Sequence, residues 1–367
     1  MVSVSLCMIV KNEEDVLERC LSSVGDFADE IIVVDTGSAD RTEEIARRFT
    51  DQVYTFEWRD DFAAARNFAF RKGHGEYLFW LDADDVIPEE ELLKLKQLKA
   101  MLAEPLPDVI MMKYAVSFDE TGRPIFTFFR ERLVRNGPLA VWQGRVHEVI
   151  PSFGRVMKVD ITIEHHKLKT ADSDRNLRIL TDMKQKEGLK TRDQYYYGKE
   201  LYYHEKYEEA SQALAEFLER PDGWSEDQID ACRYRSYCLH QLSREREELH
   251  SLVSALEFGV PRPELCCDIG WWFYRKERFA EAAWWYRQAL RNGKTAGTDG
   301  FIQEDCRGYI PCLQLCVCFD RMGKKGLAAW YNELAERFKP GTEVCERNRK
   351  YFQQIGVNAR QGRPGVS

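Results

Sequence analysis

The chain has 367 residues, which at roughly 150 residues per domain points to two domains. Hydrophobic residues make up 44% and charged residues 31%, with 12 Pro and 23 Gly, which excludes a disordered tail, a collagen and a disulfide miniprotein. A net charge of −8 leaves no global pull toward nucleic acid or an acidic membrane.

In chain order, Val2 to Val10 predicts a first strand and Glu13 to Ser23 a helix. Glu30 to Asp35 is a continuous apolar strand that ends in an acid. Arg41 to Phe49 reads as a helix, with Ser38 or Asp40 placed to cap it. Val53 to Trp58 is a third strand, and Asp61 to Lys72 a helix that stops at Gly73. Glu76 to Leu81 is a fourth strand running into Asp82-Ala83-Asp84-Asp85, after which Pro88 opens a helix. Val109 to Phe118 and Ile125 to Val134 alternate around a hairpin turn at Asp119 to Gly122. Strands alternating with helices argue for an α/β domain with a mostly parallel sheet.

After about residue 170 the strand signals stop. Gly198 and Gly270, Tyr207 and Phe279, and Ala210 and Ala282 are each 72 residues apart. That is about two units of the 34-residue helix–turn–helix repeat. A weaker copy covers Arg233 to Leu256, and another covers Gly308 to Phe338 and is followed by Pro340. This half resembles a tetratricopeptide array of about four units. The expected division is 1–170 for the α/β domain, 171–356 for the helical repeats and 357–367 for a flexible tail. Repeat arrays present concave surfaces to peptides. Trp271-Trp272 and Trp284-Trp285 are adjacent pairs, and neighbours on a helix cannot share one face, so one of each pair is expected outside the core. Homodimerisation and docking of an acceptor peptide are both open for this half.

The eleven cysteines form an odd set, nine of them after residue 230. No basic leader precedes Val2, so free thiols in a reducing cytoplasm are expected. Cys306, Cys312, Cys316 and Cys318 do not have the spacing of a paired zinc site. No apolar run approaches the ~20 residues of a membrane span.

Two acidic sites stand at strand ends, where ligands of open α/β sheets bind. Asp35 runs into Thr36-Gly37-Ser38-Ala39-Asp40, a turn that either meets a ligand or only caps a helix. Asp82 and Asp84 are expected to point the same way, and a pair of oxygen ligands suits Mg²⁺ or Mn²⁺ carrying a nucleotide diphosphate. Acidic turns are also common as solvated caps. Val10 to Glu14, Ile31 to Asp40, Ala65-Arg66-Asn67, Trp80 to Asp85, Trp142 to Glu148 and Ile163-Glu164-His165 stand in the order and spacing of a family. The first 170 residues resemble family 2 glycosyltransferases, which have the GT-A fold, Rossmann-like with a mixed, mostly parallel sheet. With the repeats, the chain looks like bacterial glycosyltransferases that modify peptides or proteins, including the sublancin-type S-glycosyltransferases.

The resemblance implies a hexosyltransferase-type enzyme with a UDP-sugar donor, a Mg²⁺ or Mn²⁺ ion and inversion at the anomeric carbon. It implies that Lys11, Asn12 and Glu13 line the nucleotide pocket with Asp35, Gly37 and Ser38. Asp84 would hold the metal, with His147 completing the site, and Asp82 would bind hydroxyls. Arg66 would neutralise phosphate or anchor Asp82, unless it is a surface ion pair. His165 would contact phosphate. Glu148 is the expected general base and Asp85 its rival. Trp142 stacks on a sugar or is buried. His166 and Lys167 depart from the aromatic-glycine continuation usual in the family. The competing readings are the same chemistry on a saccharide or lipid-linked acceptor, a silent domain on a repeat scaffold, and a nucleotidyltransferase. The last lacks a Gly-rich, Lys-bearing phosphate loop.

Overall fold

Val4–Val10 (β1) is apolar at every position but Ser5 and almost wholly buried, which is what a central parallel strand requires. The computed structural model describes residues 2–167, 174–293, 300–357 and 359. They divide into two compact units, Met1–Leu189 and Lys190–Ser367.

In the first unit, β1 is followed by Leu17–Val24 (α1), Glu30–Asp35 (β2), Thr42–Ala46 (α2), Val53–Thr55 (β3), Phe62–Phe70 (α3), Tyr77–Trp80 (β4), Asp85–Val86 (β5), Glu89–Met101 (α4), Val109–Phe118 (β6), Pro124–Arg135 (β7), Val156–His165 (β8) and Arg175–Lys186 (α5). The strand order is β3-β2-β1-β4-β7-β6-β8-β5. The first four strands are parallel, and β7 runs antiparallel to both β4 and β6. β8 is parallel to β6, and the short β5 closes antiparallel on β8. The sheet is thus mixed and mostly Rossmann-like in its first half, as expected.

Register places the acidic sites. Val10 pairs with Asp35, so the loop after β1 and the turn after β2 leave the same sheet edge. Cys7 pairs with Trp80, so the chain leaves β4 at that edge too. α1 buries Leu17, Cys20, Leu21 and Val24, one face at helical spacing, and Asp61 caps α3 by accepting the Ala64 N–H.

Three expectations need correction. The helix expected over 41–49 is regular only at Thr42–Ala46, and the third strand ends at Thr55. β5 and β8 were not expected as strands. Exposed Val156, Lys158 and Asp160 carry the outer half of β8, so only its end has the apolar content that signals a strand. The helix α5 falls in the first unit, where Arg145 Nη1 donates to Asp182 Oδ2 at 3.3 Å.

The second unit pairs Thr191–Tyr203 (α6) with Tyr207–Leu218 (α7), Ser225–Gln241 (α8) with Glu245–Ser254 (α9), Pro263–Arg275 (α10) with Phe279–Asn292 (α11), and Tyr309–Arg321 (α12) with Lys325–Phe338 (α13). Glu343–Gln354 (α14) follows. Each first helix ends alike. Glu205, Ser243, Glu277 and Gly323 have φ of 58, 58, 56 and 74°. The next residue donates its N–H five residues back: Lys206 to Leu201, Arg244 to Leu239, Arg278 to Phe273 and Lys324 to Phe319, at 2.8 to 3.1 Å. This is the Schellman closure. Gly356, at φ 67°, and the Val357 N–H to Phe352 O bond at 2.9 Å end α14 the same way, so α14 is built as a further first helix. The repeat reading holds. The expected tail at 357–367 lies outside the described residues except for Val357 and Ala359.

All eleven cysteines are free and buried, with Cys312, Cys316 and Cys318 packed in the core along α12. Trp271 is 40% and Trp284 53% exposed, while Trp272 and Trp285 pack against the core. Among the described residues no helix is long and apolar enough to cross a membrane.

Candidate functional site

The loop after β1 is laced to the turn after β2. Asn12 adopts φ 55°, its N–H donates to Ser38 Oγ at 2.9 Å, and its Oδ1 accepts the Ala39 N–H at 2.7 Å. The Glu13 N–H donates to Thr42 Oγ1 at 2.7 Å. Asp35 is 5% exposed, and its Oδ1 accepts the N–H groups of Gly37 and Ser38 at 2.7 Å each. Its Oδ2 makes no hydrogen bond among the described residues, which leaves one carboxylate oxygen for a ligand. Gly37 sits at φ 105°, a conformation closed to other residues. Lys11 is exposed at the same edge.

Among the described residues of the first unit, three non-glycine residues have positive φ: Asn12, Asp60 and His147, at 55, 53 and 51°. The loops after β1 and β3 carry two, and the third lies between β7 and β8. Strain of this kind costs about 1–3 kcal/mol per residue and gathers where a site needs it.

The acidic segment is a turn, so strand alternation does not apply to it. The Asp82 N–H donates to Asp85 Oδ2 and the Asp85 N–H to Asp82 O, both at 3.0 Å. The two flanking carboxylates therefore stand in a turn and not on one face of a strand. Asp82 Oδ1 accepts from Arg66 Nη2 at 2.6 Å, while Asp84 Oδ1 faces His165 Nδ1 at 3.2 Å. Asp85 is fully buried. It accepts from Arg132 Nη1 at 2.9 Å and from the Tyr114 hydroxyl at 2.7 Å, and faces His165 Nδ1 at 3.2 Å. A carboxylate so enclosed has no path to an acceptor, which separates Asp85 from the general-base role expected as an alternative to Glu148.

Arg66, 7% exposed, joins the acidic turn to the late motif. Its Nε donates to Glu148 Oε1 at 2.6 Å. Its guanidinium lies between the rings of Trp80 and Trp142, at 5.0 and 4.8 Å. Arg66 is therefore a buried bridge, not a surface ion pair. Trp142 is 2% exposed and takes the buried alternative. Among the described residues, the side chains that can share one cation are Asp84, Asp85 and His165, with ligand atoms within 4.8 Å of one another. His147 is outside this group, and the histidine beside Asp84 is His165, which was expected on phosphate. β8 explains the exchange: Asp85 pairs with His165 across the sheet, whereas the chain at Glu148 is drawn to Arg66.

Electrostatics follow from these contacts. Burial would lower the His165 imidazole, but hydrogen bonds to Asp84 and Asp85 outweigh it and hold its pKa up at about 10. Burial would raise the Asp82 carboxyl, but the charges of Arg66 and Arg132 hold it well below the usual range. Burial pushes the Tyr114 hydroxyl up, with Asp85 adding to it.

The donor set fits a hard divalent cation. Asp85 has both oxygens occupied within the fold, while Asp84 and His165 side chains are 21% and 24% exposed. The carboxylate suits Mn²⁺ or Mg²⁺, which keep other positions for water and phosphate, while the imidazole is a ligand more typical of Zn²⁺ or Fe²⁺. Tyr114 and Arg132 were missed in the sequence. The signal for Arg132 was there: Arg130-Glu131-Arg132 puts three charges into a strand that pairs on both edges.

A TPR repeat-containing protein of Synechococcus elongatus is 40% identical over 152 residues, which is 41% of this chain and 36% of that protein. The glycosyltransferase SunS of Bacillus phage SPbeta is 26% identical over 277 residues, 71% of this chain and 64% of the relative. The chain thus spans less than two thirds of either relative. The structure of S. aureus TarS 1–349 in complex with UDP matches with a TM-score of 0.39 and 16% identity, covering 68% of this chain and 90% of that one. The model of glycosyl transferase family 2 matches residues 5–164, which lie within the first unit.

Proposed function

We propose that the chain is a metal-assisted glycosyltransferase that moves a sugar from a nucleotide-sugar, with UDP as the nucleotide, onto a peptide or protein acceptor with inversion. The observation that carries the reading is the common sheet edge of Asp35, Asp84 and His165, two of them open to solvent. Asp35 Oδ2 binds the uracil or ribose side, with Lys11, Asn12, Glu13, Gly37 and Ser38 forming the loop walls. Asp84 and His165 would hold a divalent ion, which would supply positive charge beside the diphosphate. An acceptor lone pair attacks the anomeric carbon, the bond to the diphosphate oxygen breaks, and its electron pair leaves with UDP. Glu148 takes the acceptor proton, and Arg66 holds Glu148 and Asp82 in register. The helical repeats dock the acceptor.

The test is UDP release by the full chain from a panel of UDP-sugars with Mn²⁺ or Mg²⁺. Release with one donor, lost in chelator and in Asp84→Ala, is the expected result. No release and no metal-dependent UDP binding with any donor would overturn the reading.

A further inference from the structure

Arg132 takes no part in the chemistry just described, yet its side chain and that of Asp85 are both 0% exposed. It stands on β7, whose pairing of Leu133 with Phe79 puts it beside the end of β4. The guanidinium lies 3.8 Å from the Trp80 ring centre and 4.3 Å from that of Tyr114. Its Nη1 donates to Trp80 O at 3.1 Å and to Asp85 Oδ2 at 2.9 Å. Its Nε and Nη2 are buried without a hydrogen-bond partner. Such an arginine is expensive. Replacing a buried ion pair by apolar residues of similar volume is often neutral or stabilising by about 1–4 kcal/mol. Stability alone therefore does not account for Arg132.

What the charge does is keep a carboxylate where water does not reach. Asp85 then anchors two things at once. Its Oδ2 accepts the Asp82 N–H, which closes the turn that carries Asp84. Its Oδ1 accepts the Tyr114 hydroxyl, and the same hydroxyl lies 2.8 Å from His165 Nδ1. The chain of contacts runs Trp80, Arg132, Asp85, Tyr114, His165, from the sheet interior to the half-buried imidazole.

We propose that Arg132 and Tyr114 are positioning residues which, through Asp85, hold the Asp82–Asp85 turn and the His165 ring so that Asp84 and His165 stand pre-arranged for a divalent cation. The inference rests on the cation reading of Asp84 and His165. The contact a cation disturbs is the Asp84–His165 ion pair, which shares Nδ1 with the Tyr114 contact, whereas the Asp82 N–H to Asp85 Oδ2 bond of the brace stands apart from it. Partners that orient metal ligands are worth about 10–100-fold in metal affinity.

The experiment is direct Mn²⁺ titration of the full chain with UDP, followed by electron paramagnetic resonance, beside a thermal melt. Tyr114→Phe keeps the ring against Arg132 and removes one oxygen. Tyr77→Phe is its control: Tyr77 is also buried and donates to Pro107 O at 2.6 Å, away from the site. Tyr114→Phe is expected to weaken Mn²⁺ by about 10–100-fold, and Tyr77→Phe to leave it within twofold while melting no higher. Arg132→Lys is expected to weaken Mn²⁺ as well; should it fail to fold, Tyr114→Phe decides. Wild-type affinity in Tyr114→Phe would overturn the brace and leave the cation reading standing. Absence of Mn²⁺ binding in both the wild type and Tyr77→Phe would overturn the cation reading and the brace with it.

Discussion

Arg66 and Glu148, 82 residues apart in the chain, meet at 2.6 Å, and the same guanidinium holds Asp82 at 2.6 Å. One planar fork thus ties a helix, the acidic turn and the late loop into a single ionised unit. Removing the cation leaves Glu148 unpaired in a site where its side chain is 10% exposed. Arg66→Ala is expected to lose about 3–5 kcal/mol of stability in urea unfolding. Arg66→Lys keeps the charge but has no fork to span two carboxylates. It is expected to fold, with UDP release reduced by at least about tenfold. Full activity in Arg66→Lys would refute the bridging role.

Asp35 separates donor binding from chemistry. Its Oδ1 is spent on the Gly37 and Ser38 amides, and an asparagine oxygen can still accept both. Asp35→Asn therefore keeps the turn and removes only the charge and the full acceptor strength of Oδ2. UDP affinity by calorimetry should fall about tenfold, the worth of one charge-assisted hydrogen bond, with the melting temperature nearly unchanged. Unaltered UDP binding would remove Asp35 from the nucleotide pocket.

The parallel strands, the repeats and most of the site edge were legible because each rests on local signals: apolar runs that end in acids, and matched glycines and alanines at fixed offset. Partner choice was not. Whether His147 or His165 meets Asp84 depends on β8 pairing with β5, a contact between Asp85 and a residue eighty positions later. Asp85 and Asp84 are chemically alike in the sequence, and only burial beneath Arg132 distinguishes the anchor from the ligand. Strand alternation does not bear on Asp82 and Asp84, because both stand in a turn beyond the end of β4.

Gly198 and Gly270, the pair that revealed the repeat, have a packing reason. A Cβ on Gly198 would lie 2.7 Å from Leu214 Cδ2, and one on Gly270 would lie 3.0 Å from the Tyr286 ring. Leu214 and Tyr286 stand at matching places on the second helices α7 and α11. Overpacking of this kind costs about 1–3 kcal/mol. Gly198→Ala is expected to lower the stability of the second unit by that amount, measured by hydrogen exchange across α6 and α7, and to leave UDP binding intact. A neutral Gly198→Ala would mean that the helix pair can part without cost.

Two acids, the half-buried Glu30 and the buried Asp227, should show opposite pH responses. Hydrogen bonds from Ser5, His74 and Gln52 overcome burial and hold Glu30 down at about 2. A depressed carboxyl stabilises above its unfolded pKa of roughly 4.5, and the gain is lost as pH falls toward the folded value. Asp227 is the reverse. Burial, against the nearby Arg192 charge, pushes it up to about 6, and its Oδ1 has no hydrogen-bond partner. Its contribution is full below roughly 3.8 and disappears as pH rises through 6. Asp227→Asn is neutral throughout. It should therefore match the wild type near pH 4 and be more stable by about 1–2 kcal/mol at pH 8, a discounted form of a two-unit shift. Glu30→Gln should be less stable at pH 7 and converge with the wild type toward pH 2. Urea unfolding of both variants across pH 2–8 checks the pair, and parallel curves for Asp227→Asn and wild type would show that the second unit bears no cost for that buried charge.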